Sequence, residues 1–283
     1  MAWSVGNNLN KERVGLAGCG TQNASLSFGG LPSPQAAESF NGTSWTEVTN
    51  TNISNAYHAG CGTLDAALSF GSYNSDAPID FSTTEEYSSS VWTTTNRLNV
   101  SRKYLGGCGT QSAALNFAGT YPRFVLSTAT CNSNVYNANI DFYFNTTEEY
   151  DGSCWTTVNG LNGRKLSVAG AGLQAAGLCI GGNDTIGTNL NITEEYDGTS
   201  WASGGNLNTA RPNLAACGLQ AASLCFGGGS VSKASELYNG IVWANTGDMV
   251  IARKNLGGSG VTTAGLSFGG YGTSILPVTE LYT

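Results

Sequence analysis

A pattern that recurs six times constrains this chain more than any other feature. Its marks are six tryptophans, Trp3, Trp45, Trp92, Trp155, Trp201 and Trp243, spaced by 42, 47, 63, 46 and 42 residues. A period of this size indicates repeated supersecondary units, each too small to bury a core alone.

Each copy opens with a small-residue segment, as in Ala17-Gly18-Cys19-Gly20 and Ala215-Ala216-Cys217-Gly218. An apolar pair follows: Leu26/Phe28, Leu68/Phe70, Leu115/Phe117, Leu178/Ile180, Leu224/Phe226 and Leu266/Phe268. Spacing of i, i+2 puts both members on one face of a strand. After glycines such as Gly29-Gly30 comes Glu-x-aromatic: Glu38/Phe40, Glu85/Tyr87, Glu148/Tyr150, Glu194/Tyr196, Glu236/Tyr238 and Glu280/Tyr282. The tryptophan segment is last. Between these two lie Asn41-Gly42, Asp151-Gly152, Asp197-Gly198 and Asn239-Gly240. Such pairs predict two-residue hairpin turns with positive φ at both central residues. Each copy is therefore expected to be a four-stranded antiparallel meander, which at this period is a propeller blade.

The chain begins with a tryptophan segment that has no Glu segment before it. It ends on Glu280-Leu281-Tyr282-Thr283, with no tryptophan segment after it. Pairing of the first and last strands in one blade would close the ring and remove an open edge. The expected fold is all-β: a single six-bladed β-propeller over 1–283, with a loop insertion at about 120–146.

Composition agrees. With 39 Gly and 11% charged residues, the chain suits short strands and tight turns better than helices. No run approaches the roughly 18 apolar residues of a membrane-spanning helix. Met1 to Asn8 has no basic segment leading into an apolar one. A soluble protein folding in a cytoplasm, without membrane insertion, is expected. A net charge of −7 with no basic run argues against nucleic acid as a partner.

The third-strand acids Glu38, Glu85, Glu148, Glu194, Glu236 and Glu280 find matching bases. Arg13, Arg102, Lys165, Arg211 and Arg253 stand four positions after the Leu or Met that follows each tryptophan, and counting from Ile53 puts Tyr57 there as the exception. A Glu–base bond repeated in a partly buried seam is expected; the functional alternative is a charged ring gripping an ion in the central channel. The neighbours Glu86, Glu149 and Glu195 point to the opposite face, so the paired carboxylates cannot act jointly as acid and base.

Cys19, Cys61, Cys108 and Cys217 share one repeat position with Ala171 and Ser259, and Cys179 and Cys225 share another with Ser27, Ser69, Asn116 and Ser267. Exchange with Ala and Ser predicts small buried filler. Cys131 and Cys154 fall outside the pattern, which leaves a bridge between them open. His58 is the sole histidine, too few for a copper centre or a Ser-His-Asp or Cys-His arrangement. No metal, no cofactor and no catalytic residue is expected.

Individuality lies in the insertion, where aromatic residues gather around a base. Tyr121, Arg123, Phe124, Tyr136, Phe142 and Tyr143 are types favoured at interface hot spots. They are the expected partner-binding residues; the alternative is that they fold the insertion onto the propeller.

The double glycine, then an aromatic, then a tryptophan, resembles the kelch motif over the whole chain. Gly71-Ser72, Ala118-Gly119 and Ile180 depart from it. Gly18-Cys19-Gly20-Thr21-Gln22, Ala113-Ala114-Leu115-Asn116-Phe117 and Thr193 to Trp201 resemble, in their wording, kelch-like repeat proteins of marine bacteriophages. That resemblance implies a non-enzymatic virion protein of a tail, fibre or adhesion appendage, assembled in a host cytoplasm in multiple copies. Its partners would be other virion proteins or a host surface glycan or protein. A free lectin-like or protein-interaction propeller is the alternative class, and a propeller hydrolase or oxidase the third.

Overall fold

The computed structural model describes residues 1–73, 81–126 and 136–283, and for 122–126 and 136–142 the backbone alone. The chain opens with β1 (Trp3–Val5). The first blade is β2 (Ala17–Thr21), β3 (Ala24–Phe28), β4 (Ala37–Phe40) and β5 (Trp45–Val48); the second is β6 (Ala59–Gly62), β7 (Ala66–Phe70), β8 (Thr84–Ser88) and β9 (Val91–Thr94). The third blade begins with β10 (Gly106–Gly109) and β11 (Ala114–Phe117). A separate hairpin, β12 (Thr120–Leu126) and β13 (Tyr136–Tyr143), interrupts it before β14 (Thr147–Tyr150) and β15 (Trp155–Val158). The fourth is β16 (Ala169–Leu173), β17 (Ala176–Ile180), β18 (Thr193–Tyr196) and β19 (Trp201–Ser203); the fifth is β20 (Ala215–Leu219), β21 (Ala222–Phe226), β22 (Ser235–Tyr238) and β23 (Trp243–Asn245). In the sixth, β24 (Gly257–Val261), β25 (Ala264–Phe268) and β26 (Thr279–Tyr282) take β1 as their outer strand.

The molecule is thus a six-bladed β-propeller of four-stranded antiparallel sheets. Trp3 pairs with Tyr282 and Val5 with Glu280. Beyond them, Ala2 N–H donates to the Thr283 carbonyl at 2.8 Å. The inner strands β2, β6, β10, β16, β20 and β24 follow one another in a closed circuit of contacts.

Blade-to-blade packing explains the small inner residues. Leu26 and Phe28 of β3, and their counterparts in every blade, are fully buried. A Cβ added at Gly18 would meet Phe268 Cζ of the preceding blade at 2.2 Å, and one at Gly60 would meet Phe28 at 2.4 Å. The phenyl ring of one blade therefore seats on the bare backbone of the next, and burying such a ring stabilises by roughly 2–3 kcal/mol. The inner strands are sheet edges, so their free backbone groups line the axis.

The outer turns differ from the sequence expectation. Phe40 pairs with Trp45, which leaves a four-residue loop, and there only Gly42 has positive φ, at 88°. Asn41 instead accepts the amides of Thr43 and Ser44 on Oδ1, and Asp151, Asp197 and Asn239 do the same in their blades. The side chain replaces a backbone turn bond, which stabilises a wider loop than Asn-Gly needs in a tight hairpin. The two-residue turn with positive φ at both centres occurs in the second blade, at Ser89 and Ser90.

Candidate functional site: the axial mouth on the linker face

Each linker that enters a blade passes the axis through one residue in the left-handed region. These are Gly15, Tyr57, Tyr104, Ser167, Asn213 and Asn255, with φ between 51° and 67°. Tyr57 N–H donates to Gly15 O, Tyr104 to Tyr57, Ser167 to Tyr104, Asn213 to Ser167, and Asn255 to Asn213. Gly15 N–H then donates to Asn255 O at 2.9 Å. Six backbone bonds, one per blade, form a closed belt around the mouth. Holding non-glycine residues at positive φ costs of order 1 kcal/mol each, and the belt bonds offset that cost.

The side chains on the belt make the mouth two-sided. Ser167, Asn213 and Asn255 line it on one side. On the other, the Tyr57 and Tyr104 rings lie 4.7 Å apart, and Tyr57 covers Gly15, where a Cβ would meet its ring at 2.7 Å. The aromatic run continues outward: Tyr57 to Tyr73 at 6.5 Å, Tyr73 stacked on Phe81 at 6.1 Å, and Phe81 edge-on to Tyr121 at 5.7 Å. Lys103 Nζ sits 4.9 Å over the Tyr73 ring and 5.4 Å over Tyr104, a cation–π arrangement. Tyr57, Tyr73, Tyr104 and Tyr121 are all half-buried.

Beneath the mouth, Leu16, His58, Leu105, Val168, Leu214 and Leu256 form the next layer. His58 is buried, and desolvation, with the charge of Arg13, pulls its pKa down to about 3. Cavities of about 80, 110 and 220 Å³ succeed one another along the axis and share lining residues, so they are stretches of one channel.

The structure places the expected partner-binding residues unequally. Tyr121 joins the aromatic run through Phe81. Tyr143 is half-buried, opposite Thr120 at the base of the β12–β13 hairpin. The side chains of Arg123, Phe124, Tyr136 and Phe142 lie outside the described residues, as does Cys131. Cys154 is a free, exposed thiol, and the six repeat-position cysteines are free and buried. Sequence reasoning missed Tyr57, Tyr73, Phe81 and Tyr104 as a group. Gly or Asn at three belt positions was the available signal, since both tolerate positive φ.

The repeated acids and bases stand away from the mouth, in buried seams. Arg13 reaches Glu38 at 2.9 Å, Arg102 Glu148 at 2.6 Å, Arg211 Glu236 at 2.8 Å and Arg253 Glu280 at 3.0 Å; Lys165 pairs with Glu194. Each base comes from the linker that enters the blade holding its acid. Arg13 Nη1 also donates to the carbonyls of Gly29 and Ala36, stitching the β3–β4 connection. Burial pulls Arg102 and Arg253 down to about 10 against the opposing pull of Glu148 and Glu280, so both stay charged at neutral pH. None of these paired residues lines the axial cavities.

In the second blade the position matching the bases is Asn55, not Tyr57. Asn55 lies ten residues after its tryptophan, as each base does, and its Nδ2 bonds Glu85 at 3.2 Å. Counting from Ile53 displaced the register by two. Buried Thr51 occupies the place of Leu9 and Leu98, and Ile53 is half-exposed.

Blades are also joined by side chains that the sequence pattern left unassigned. Trp45 Nε1 donates to Thr279, Trp155 to Thr84, Trp201 to Thr147 and Trp243 to Thr193, in each case to Oγ1 of the preceding blade. Tyr150, Tyr196 and Tyr238 donate to Glu86, Glu149 and Glu195 of the preceding blade. These acids are therefore structural acceptors. The chain matches no known family model and no curated protein.

Proposed function

We propose that this chain is a non-catalytic binding propeller whose linker face, centred on the axial mouth, docks a macromolecular partner. The aromatic run from Tyr104 through Tyr57, Tyr73 and Phe81 to Tyr121 carries the reading. It joins the axis to the base of the β12–β13 hairpin and faces Asn213 and Asn255 across the mouth. Half-buried aromatics beside convergent polar groups suit a sugar ring or a protein hot spot. The repeat style supports a virion setting, in which the partner is a neighbouring virion protein or a host surface receptor.

The test is glycan-array and host-envelope binding by the intact protein, by Tyr57→Ala and Tyr104→Ala, and by a variant lacking residues 121–143. Binding should be lost in the tyrosine variants while their circular dichroism stays unchanged. Undiminished binding by all three variants would remove the linker face from consideration. Mass spectrometry of purified particles tests the virion setting. Glycan binding by a protein absent from particles would select the free lectin-like reading.

A further inference from the structure

In four blades the guanidinium head fills one fixed place. Arg13 Nη2 lies 2.8 Å from Ser27 Oγ and 2.9 Å from Glu38 Oε1, while Nη1 bonds the carbonyls of Gly29 and Ala36. The fourth blade puts the compact ammonium of Lys165 there, bonded to Glu194, beside a cavity of about 280 Å³. A compact monovalent charge therefore serves the seam as a guanidinium does.

Among the described residues, the second blade keeps the oxygens and lacks the cation. Ser69 pairs with Glu85 as Ser27 pairs with Glu38, so the two share the face that elsewhere meets the guanidinium. Glu85 is fully buried and makes no ion pair among the described residues; it accepts from Asn52 N–H at 2.9 Å and Asn55 Nδ2 at 3.2 Å. Ser69 Oγ and Asn55 Oδ1 are buried and without hydrogen-bond partners. Gly71 N–H bonds Thr83 O as Gly29 N–H bonds Ala36 O, which sets the Gly71 and Thr83 carbonyls at the positions of the two that Arg13 bridges. The buried Glu85 carboxylate lies beside two unpaired oxygens and has no ion-pair partner among the described residues.

We infer that the second blade binds a monovalent inorganic cation, sodium or potassium, where the other five blades hold a side-chain cation, with Glu85, Asn55 Oδ1 and Ser69 Oγ as ligands. The ion completes the sixth seam at the same net charge as the others. Water would fill the space without neutralising the carboxylate; a proton would neutralise it, since burial raises the Glu85 pKa, but would leave no dependence on the alkali cation.

Thermal unfolding at pH 8 tests this in sodium, potassium and tetramethylammonium chloride at one ionic strength. The wild-type Tm should be higher in sodium or potassium by roughly 2–4 °C, because a ligand bound only by the folded state stabilises it. Asn55→Arg, which supplies its own cation, and Glu85→Gln should each lose that difference. The ²³Na resonance should show protein-dependent broadening with the wild type and none with Glu85→Gln, a reading independent of stability. A wild-type Tm indifferent to the cation, a difference that survives in Glu85→Gln, or an effect of calcium alone would overturn the assignment.

Discussion

Ala216 of the fifth blade packs in one hydrophobic cluster with Ile180 of the fourth. Four other junctions set glycine against phenylalanine at this place: Gly18 with Phe268, Gly60 with Phe28, Gly107 with Phe70 and Gly258 with Phe226. The shorter isoleucine leaves room for the alanine methyl, so the two departures compensate each other.

This makes the pair a test of blade packing. Ile180→Phe alone should overpack the junction and cost about 1–3 kcal/mol. Adding Ala216→Gly should restore part of that loss, with a coupling of about 0.5–3 kcal/mol in a double-mutant cycle. Urea denaturation of the four proteins measures it; simple additivity would show that the two side chains do not meet.

His58 stands where five blades have Leu or Val, and neither ring nitrogen has a hydrogen-bond partner. Replacing it with the residue of its counterparts, His58→Leu, should stabilise by about 1–3 kcal/mol at neutral pH. Acidity should enlarge the gap. Folded, His58 stays neutral down to about pH 3, whereas its ordinary pKa is 6.5. The unfolded chain thus binds an extra proton between those values. The stability linked to His58 is complete above pH 6.5 and falls as pH drops, by about 1.4 kcal/mol per unit. Melting curves from pH 7.5 to 4.5 should show a shallower acid loss in His58→Leu; parallel curves would refute the assignment.

Glu194→Gln removes the acid from a seam in which both partners are about 2% exposed. It strands the Lys165 ammonium, and breaking a buried pair in this way costs about 3–5 kcal/mol. Chemical denaturation should show a loss of that size. Lys11→Ala should change stability by less than about 1 kcal/mol, because the Lys11–Glu47 pair is 37% and 54% exposed.

Thiol labelling should separate the cysteines by environment. Cys154 is exposed, and the nearby Asp151 carboxylate raises its pKa, so it should label in the native protein faster at pH 9 than at pH 7. Cys19, Cys61, Cys108, Cys179, Cys217 and Cys225 are buried. They should label only after denaturation, as peptide mass spectrometry would read; native labelling of Cys108 or Cys217 would contradict the packed inner ring.

The sequence by itself determined the blades, their number and the closure through Trp3 and Tyr282. The blades are local: a four-stranded meander is written in i, i+2 apolar pairs, glycines and turn residues within about forty positions, and the closure is legible because the first and last segments each supply what the other lacks. The acids Glu38 to Glu280 and the bases Arg13 to Arg253 were legible for the same reason, because one packing solution repeats. Tertiary structure decided what joins one blade to the next. The hydrogen-bond ring through Gly15 and Asn255, the meeting of Tyr57 and Tyr104 at the mouth, and the aromatic run outward to Tyr121 depend on distances between separate sheets. A linear pattern carries no such distances. The Asn-Gly pairs show the same limit at short range: the side chain of Asn41 can replace a backbone turn bond, and only the strand register reveals that it does.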